Sequence, residues 1–204
     1  AMGAAAVTGV ANYDMMIIGE VLESTDGLGV FVRPDSPIAQ ATGYNPSYPN
    51  VLGSPETVKG ITMLLPIGTA QHFTALKWLE KLGLGITDVN IVNMDTAQAY
   101  QALQAKQCDA VSLNVPTFFD AENDGMVQVG NLADLGTRYV DMVVANRKAV
   151  EGQPELVQKY IDCITEACAA LNADPDMAAD LFVEYLKEAG AETTRENCVS
   201  DLSR

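Results

Sequence analysis

The residues best placed to do chemistry in this chain are Ile67-Gly68-Thr69-Ala70-Gln71-His72, where an apolar run passes through a glycine and a hydroxyl residue straight into a helical pattern. The unpaired N–H groups of a first helical turn, and the positive end of the helix, favour an anionic guest. In open α/β sheets, ligands also gather beyond the carboxyl ends of the strands. Gly-Thr is equally an ordinary helix N-cap that needs no ligand. His72, the only histidine, falls in this first turn, either as a donor to a bound anion or as a partly exposed helix residue. A second strand end, Asn114-Val115-Pro116-Thr117, offers Asn114 and Thr117 as further contacts, with Pro116 as architecture. Ser24 and Thr25, in the turn Ser24-Thr25-Asp26-Gly27, complete the candidate ligand-binding set of Gly68, Thr69, Ala70, Gln71, His72, Asn114, Thr117, Ser24 and Thr25.

Other chemistries find no residues. GxxxxGK[ST] and GxGxxG are both absent, so phosphoryl transfer and dinucleotide binding have no support. No Ser/His/Asp set is arranged for nucleophilic attack, and Cys108 has no partner base. One histidine, no CxxC and no EF-hand pattern leave no metal site expected, and no catalytic residue or cofactor is expected. Cys163 and Cys168 lie about 140° apart on a 3.6-residue helix and cannot bridge each other. Either could pair with Cys198, although buried free thiols are the plainer reading.

These residues sit in a chain of 204, with 27 Asp and Glu against 12 Lys and Arg, a formal charge of −15. That balance excludes an ordinary nucleic-acid binder and argues against docking on an anionic membrane. At 48% hydrophobic and 19% charged the chain is globular, one domain or two small ones. No apolar stretch reaches transmembrane length. The opening AMGAAAVTGVA lacks a basic region ahead of it, so a targeting segment is either removed or lies upstream.

The elements that must position the candidates are legible in outline. After a short helix, MMIIGEVL and LGVFVR read as strands around the Ser24–Gly27 turn, and 34–58 reads largely as loop. From Gly60, strands alternate with helices: Ile61–Ile67, a helix bearing Phe73, Leu76, Leu79 and Leu82 that closes at Gly83, VNIVNMD, a helix opened by Asp95-x-x-Gln98 as a capping box, then DAVSLN. The order β-α-β-α-β implies a parallel sheet with right-handed crossovers. Trp78 and Phe73 read as core. YVDMVVAN is a returning strand. A helix begins at Pro154, with Val157, Ile161, Ile164, Cys168 and Leu171 as its apolar stripe, and Asp174-Pro175 opens another whose buried face is Met177, Leu181 and Tyr185.

Three segments together, VFVRPDSPI (30–38), 56–120 and 153–182, resemble the solute-binding proteins of ABC importers, in the branch that takes up nitrate, taurine, aliphatic sulfonates and thiamine-pyrimidine precursors. The resemblance implies a type 2 periplasmic binding protein fold, two α/β lobes joined by hinge strands with the ligand clamped between them. It implies a first lobe formed by 1–32 with 147–204 and a second formed by 33–146. Its second-lobe contacts match Gly68–His72 and Asn114–Thr117. Ile67 stands where a Lys or Arg is more usual, which weakens the case for a strongly charged oxyanion.

The first lobe departs further. A strand, a helix and a second strand that precede the matching segment in the family are missing, so the apolar faces of Met15–Leu22 and of the C-terminal helices should be exposed. This suggests either a cut version of a longer protein or a relative completed by a partner chain. The implied function is non-enzymatic: an extracytoplasmic component that binds a small polar, anionic solute (sulfonate, nitrate or carboxylate type) and hands it to an ABC permease. Such a protein would touch the membrane only through a lipid anchor or that permease, and would bind no nucleic acid. The alternatives are a ligand sensor of the same fold and an enzyme resembling the thiamine-pyrimidine synthase, whose cysteine-rich motif is absent here.

Overall fold

A computed structural model describes residues 3–190 and 193–202. The elements run α1 (Gly3–Asn12), β1 (Met15–Glu23), β2 (Leu28–Val32), α2 (Pro37–Gln40), α3 (Pro55–Val58), β3 (Thr62–Leu65), α4 (Ala70–Lys81), β4 (Asn90–Asn93), α5 (Thr96–Gln104), β5 (Ala110–Asn114), α6 (Thr117–Asn123), β6 (Val127–Asn131), β7 (Val140–Asn146), α7 (Arg147–Gly152), α8 (Pro154–Ala173), α9 (Pro175–Glu188) and α10 (Arg195–Leu202). They form two compact units, one of Gly3–Leu22 with the chain from Asp141 onward, the other of Glu23–Val140.

The second unit is built on a five-stranded sheet in the order β4-β3-β5-β2-β6. β3 runs parallel to β4 and to β5, the expected crossover pattern, and β2 is antiparallel to both β5 and β6. Side chains alternate across the sheet, as strand geometry requires. Leu28, Val30 and Val32 of β2, with Met63 and Leu65 of β3, join Trp78, Ala75 and Leu79 of α4 in one core; Phe31, Leu64, Val111 and Leu113 join α5 and α6 in the other. Trp78 is fully buried, and its Nε1–H donates to the Leu52 carbonyl at 3.0 Å. Gly130 of β6 lets that ring approach: a Cβ there would stand 3.0 Å from Trp78 Cδ1.

This unit differs from the expectations at three points. β2 was assigned to the first lobe, yet all five of its residues are buried at the middle of this sheet, because its hydrogen bonds run to β5 on one side and β6 on the other. The unit therefore begins at Glu23 and ends at Val140, earlier at both ends than 33–146. β6 adds a strand with little sequence signal: VQVGN is short and carries a glycine, so its alternation is weak. The α4 buried face is Ala70, Gln71, Thr74, Ala75, Trp78 and Leu79, rotated from the Phe73/Leu76 stripe.

In the other unit, β1 pairs with β7 in a two-stranded sheet. The α8 stripe falls where expected for Val157, Ile161, Ile164 and Cys168, which are half-buried, but its last member, Leu171, is exposed, and no residue of α8 is fully buried. Asp174 caps α9 by accepting from the Met177 N–H at 3.0 Å. The α9 face is a correction: Met177, Leu181 and Tyr185 are 38%, 47% and 65% exposed, and the helix buries Ala178 and Ala179 instead. Small alanines let α9 pack closely against its neighbours, while nothing covers the larger apolar row. The expected exposure of the Met15–Leu22 strand holds for Ile17, Val21 and Leu22. None of the four cysteines is in a disulfide; Cys108 and Cys198 are buried, but Cys163 is exposed, against the expectation of burial. No helix among the described residues is long and apolar enough to cross a membrane.

Candidate ligand-binding site

The strand directions set the site. β3, β4, β5 and β6 point the same way and β2 runs against them, so the ends of β3, β4 and β5 and the start of β2 share one edge of the sheet. Leu28 pairs with Asn114 in register, which brings the Ser24–Gly27 turn to the same edge as Asn114 and the Gly68–His72 loop.

Gly68 takes φ +83°, where a side chain would be strained, although the space around it is open. Thr69 is the N-cap of α4 but makes no side-chain cap bond. Its hydroxyl donates instead to the Pro66 carbonyl at 2.6 Å. The first-turn N–H groups of α4, beginning at the buried Ala70, thus receive no acceptor from the cap, and Thr69 has no hydroxyl proton left for a guest. His72 folds back so that its Nδ1 accepts from the Gly68 N–H at 3.2 Å, which puts the ring proton on Nε2. That Nε2 is buried and has no partner among the described residues. The Ile67 N–H donates to Asn93 Oδ1 at 2.8 Å, tying the loop to the end of β4.

Gln71 joins three elements. Its side chain is 5% exposed, and its Nε2 donates to Asn114 Oδ1 at 2.8 Å and to Thr96 Oγ1 at 3.1 Å. Thr96, the first residue of α5, was not among the sequence candidates; the Asp95-Thr96 pair was legible only as a helix start. Asp95 does cap that helix, accepting from the Ala97 N–H at 3.1 Å. Thr117 opens α6, half-buried, next to a cis Val115–Pro116 peptide.

Thr25 is 8% exposed. Its hydroxyl donates to Glu23 Oε1 at 2.9 Å and accepts from the Tyr139 N–H at 3.0 Å, while the Ser24 N–H donates to the Tyr139 carbonyl. Arg138 pairs with Glu23 beside them, and that guanidinium holds the Glu23 carboxyl below its ordinary range. Ser24 and Thr25 therefore stitch the start of β2 to the chain entering β7. The segments at this edge (24–27, 66–72, 94–97, 114–118 and 132–137) contain no Lys or Arg. Among the described residues, no group of His, Cys, Asp and Glu is gathered to hold a metal.

The fold is the mixed α/β fold of the periplasmic binding proteins. The periplasmic aliphatic sulphonate binding protein SsuA from Escherichia coli matches 96% of this chain and 61% of its own with a TM-score of 0.74, at 20% identity. The desulfurization enzyme DSZB shares the fold, with a TM-score of 0.67 at 17% identity over 97% of this chain and 67% of its own. Architecture by itself thus does not separate binding from catalysis. In sequence, the model of the NMT1/THI5 like family matches residues 48–178, and the chain belongs to that family. A protein of Brachyspira hyodysenteriae, described as an ABC transporter periplasmic binding protein, is 38% identical over 201 residues. The match takes in 98% of this chain and 58% of that relative's length.

Proposed function

We propose that this chain belongs to the extracytoplasmic solute-binding component of an ABC importer, without enzymatic activity, and that it takes a small polar anion of sulfonate, nitrate or carboxylate type for delivery to a permease. The observation that carries the reading is the convergence of donors on one sheet edge: the uncapped first turn of α4, the unpartnered Nε2 of His72 and the Asn114 amide. Donors without acceptors suit a guest rich in lone pairs. The described names of the relatives, a periplasmic binding protein and a sulphonate binder, support the same assignment and an extracytoplasmic location. Contact with the membrane would come through the permease or a lipid anchor.

Calorimetric titration with methanesulfonate, nitrate and acetate tests the reading. One of the three should bind, and His72→Ala should weaken it about 10-fold by removing one hydrogen bond to a charged group. Thr69→Val should weaken it less, through the loop, since its hydroxyl is engaged with Pro66. Unchanged affinity in both variants would move the site elsewhere.

A further inference from the structure

We infer that Gln71 is a positioning residue that sets the hydrogen-bonding sense of the site, turning Asn114 and Thr96 into donors, so that the head group they read is an acceptor-only oxyanion held by neutral groups. The inference rests on the oxyanion reading above and assigns how that anion is recognised.

A side-chain amide nitrogen carries two protons, and Gln71 uses both, one on Asn114 Oδ1 and one on Thr96 Oγ1. Asn114 therefore has its oxygen occupied. Its Nδ2 has no partner among the described residues and is not sealed from solvent. Thr96 accepts through its oxygen, so its own proton must be directed elsewhere, and no acceptor among the described residues takes it. The opposite sense is stereochemically available. Rotating the Gln71 and Asn114 amides together by half a turn would place Gln71 Oε1 between the two partners, let it accept from the Asn114 N–H and the Thr96 O–H, and leave Asn114 presenting a carbonyl. The two senses exclude each other, so one residue on the buried face of α4 decides what two other elements present.

The donor sense agrees with its surroundings. The first turn of α4 shares the donor sense, and His72 Nε2, buried in this structure, is a further donor, so a guest that only accepts hydrogen bonds matches the edge. The edge segments carry no Lys or Arg, and the adjoining Arg138 is paired with Glu23, so what this edge offers a guest is oriented neutral dipoles. Gln71 is buried, so losing either of the two bonds it makes would leave a polar group unsatisfied, and the amide stays engaged with both partners.

Side-chain amide exchange, read by NMR on the 15N-labelled chain, tests the sense without any ligand. The Gln71 Nε2 protons should be protected and the Asn114 Nδ2 protons should exchange quickly; the reverse pattern overturns the inference. Methanesulfonate calorimetry then reads the consequence. Gln71→Glu, nearly isosteric, can only accept, and pulls the Asn114 and Thr96 protons onto itself, so affinity should fall about 100-fold. Gln71→Met merely releases both partners and should cost about 10-fold.

Equal losses in the two variants, with cooperative melting retained, would mean a structural role and overturn the assignment. If Gln71→Glu does not fold, the exchange pattern and the Gln71→Met affinity still decide. Absence of binding of methanesulfonate, nitrate or acetate to the wild-type chain, with the Gln71 protons protected, would sink the proposed function and the ligand class inferred here, while showing the amide sense to be as described.

Discussion

At the scale of single residues, Asp120 of α6 shows how burial and a neighbouring charge act on one carboxyl. Desolvation, aided by the negative charge of Asp124, raises it above its ordinary 3.8. A raised carboxyl means that the fold prefers the protonated form. Its contribution is thus most favourable below the unfolded value and is lost as pH climbs through the folded one. Asp120→Asn keeps the shape and removes the charge. Its melting temperature should exceed that of the wild type at pH 7, with little difference at pH 3, where the wild-type carboxyl is already neutral. A lower melting temperature at pH 7 would contradict this account. Cys108 follows the same logic, its thiol pushed up to about 11 by burial in spite of the nearby Arg33, so that it stays protonated and unreactive at neutral pH.

At the scale of elements, α4 and α5 begin differently although both follow parallel strands. α5 has its cap made, by Asp95 on the Ala97 N–H, whereas the Thr69 hydroxyl turns back to Pro66 and leaves the start of α4 without one. Replacing Asp95 with Ala should lower stability by about 1 kcal/mol in urea titration, the ordinary cost of a lost cap. It should also weaken oxyanion binding, because Thr96 sits on the frayed turn. The capping box read from Asp95-x-x-Gln98 was therefore half legible: the cap is there, and its bond reaches Ala97. The α8 stripe was legible because one apolar row on a long helix has only one way to turn. On α9 two apolar rows compete, and the pair of alanines won the packed position.

At the scale of the whole molecule, the exposed apolar side chains are concentrated outside the five-stranded unit. Leu156 and Tyr160 are 60% and 58% exposed and line, with Ile18, Val144, Ala145 and Val157, an apolar groove of about 320 Å³. The two-stranded β1-β7 sheet offers little interior to bury them. Contiguous apolar surface of this kind attracts hydrophobic probes. The chain should enhance ANS fluorescence at neutral pH, and Leu156→Glu with Tyr160→Lys should remove most of that signal while shifting the melting temperature by less than about 2 °C, as surface substitutions do. An unchanged dye signal would place the accessible apolar surface elsewhere.

The sequence by itself determined the order of strands and helices from Gly60 to Asn114, because period-2 runs ended by glycine and period-3.6 runs begun by a cap residue are local signals. It also determined that Gly68–His72 and Asn114 stand at strand ends, and its family resemblance implied the uncovered apolar surface seen at Ile17, Val21 and Leu22. Tertiary structure decided what no local window contains. β2 enters the second unit because it pairs with β5 and β6, whose partner residues lie 78 to 102 positions away in the chain, beyond any local window. Thr25 became a stitch to Tyr139 across 114 positions. Thr96 joined the site only through Gln71, a buried amide whose type shows nothing of the two partners it holds or of the sense in which it holds them. Hydrogen-bond direction is a property of the assembled neighbours, and it is the feature on which recognition at this edge turns.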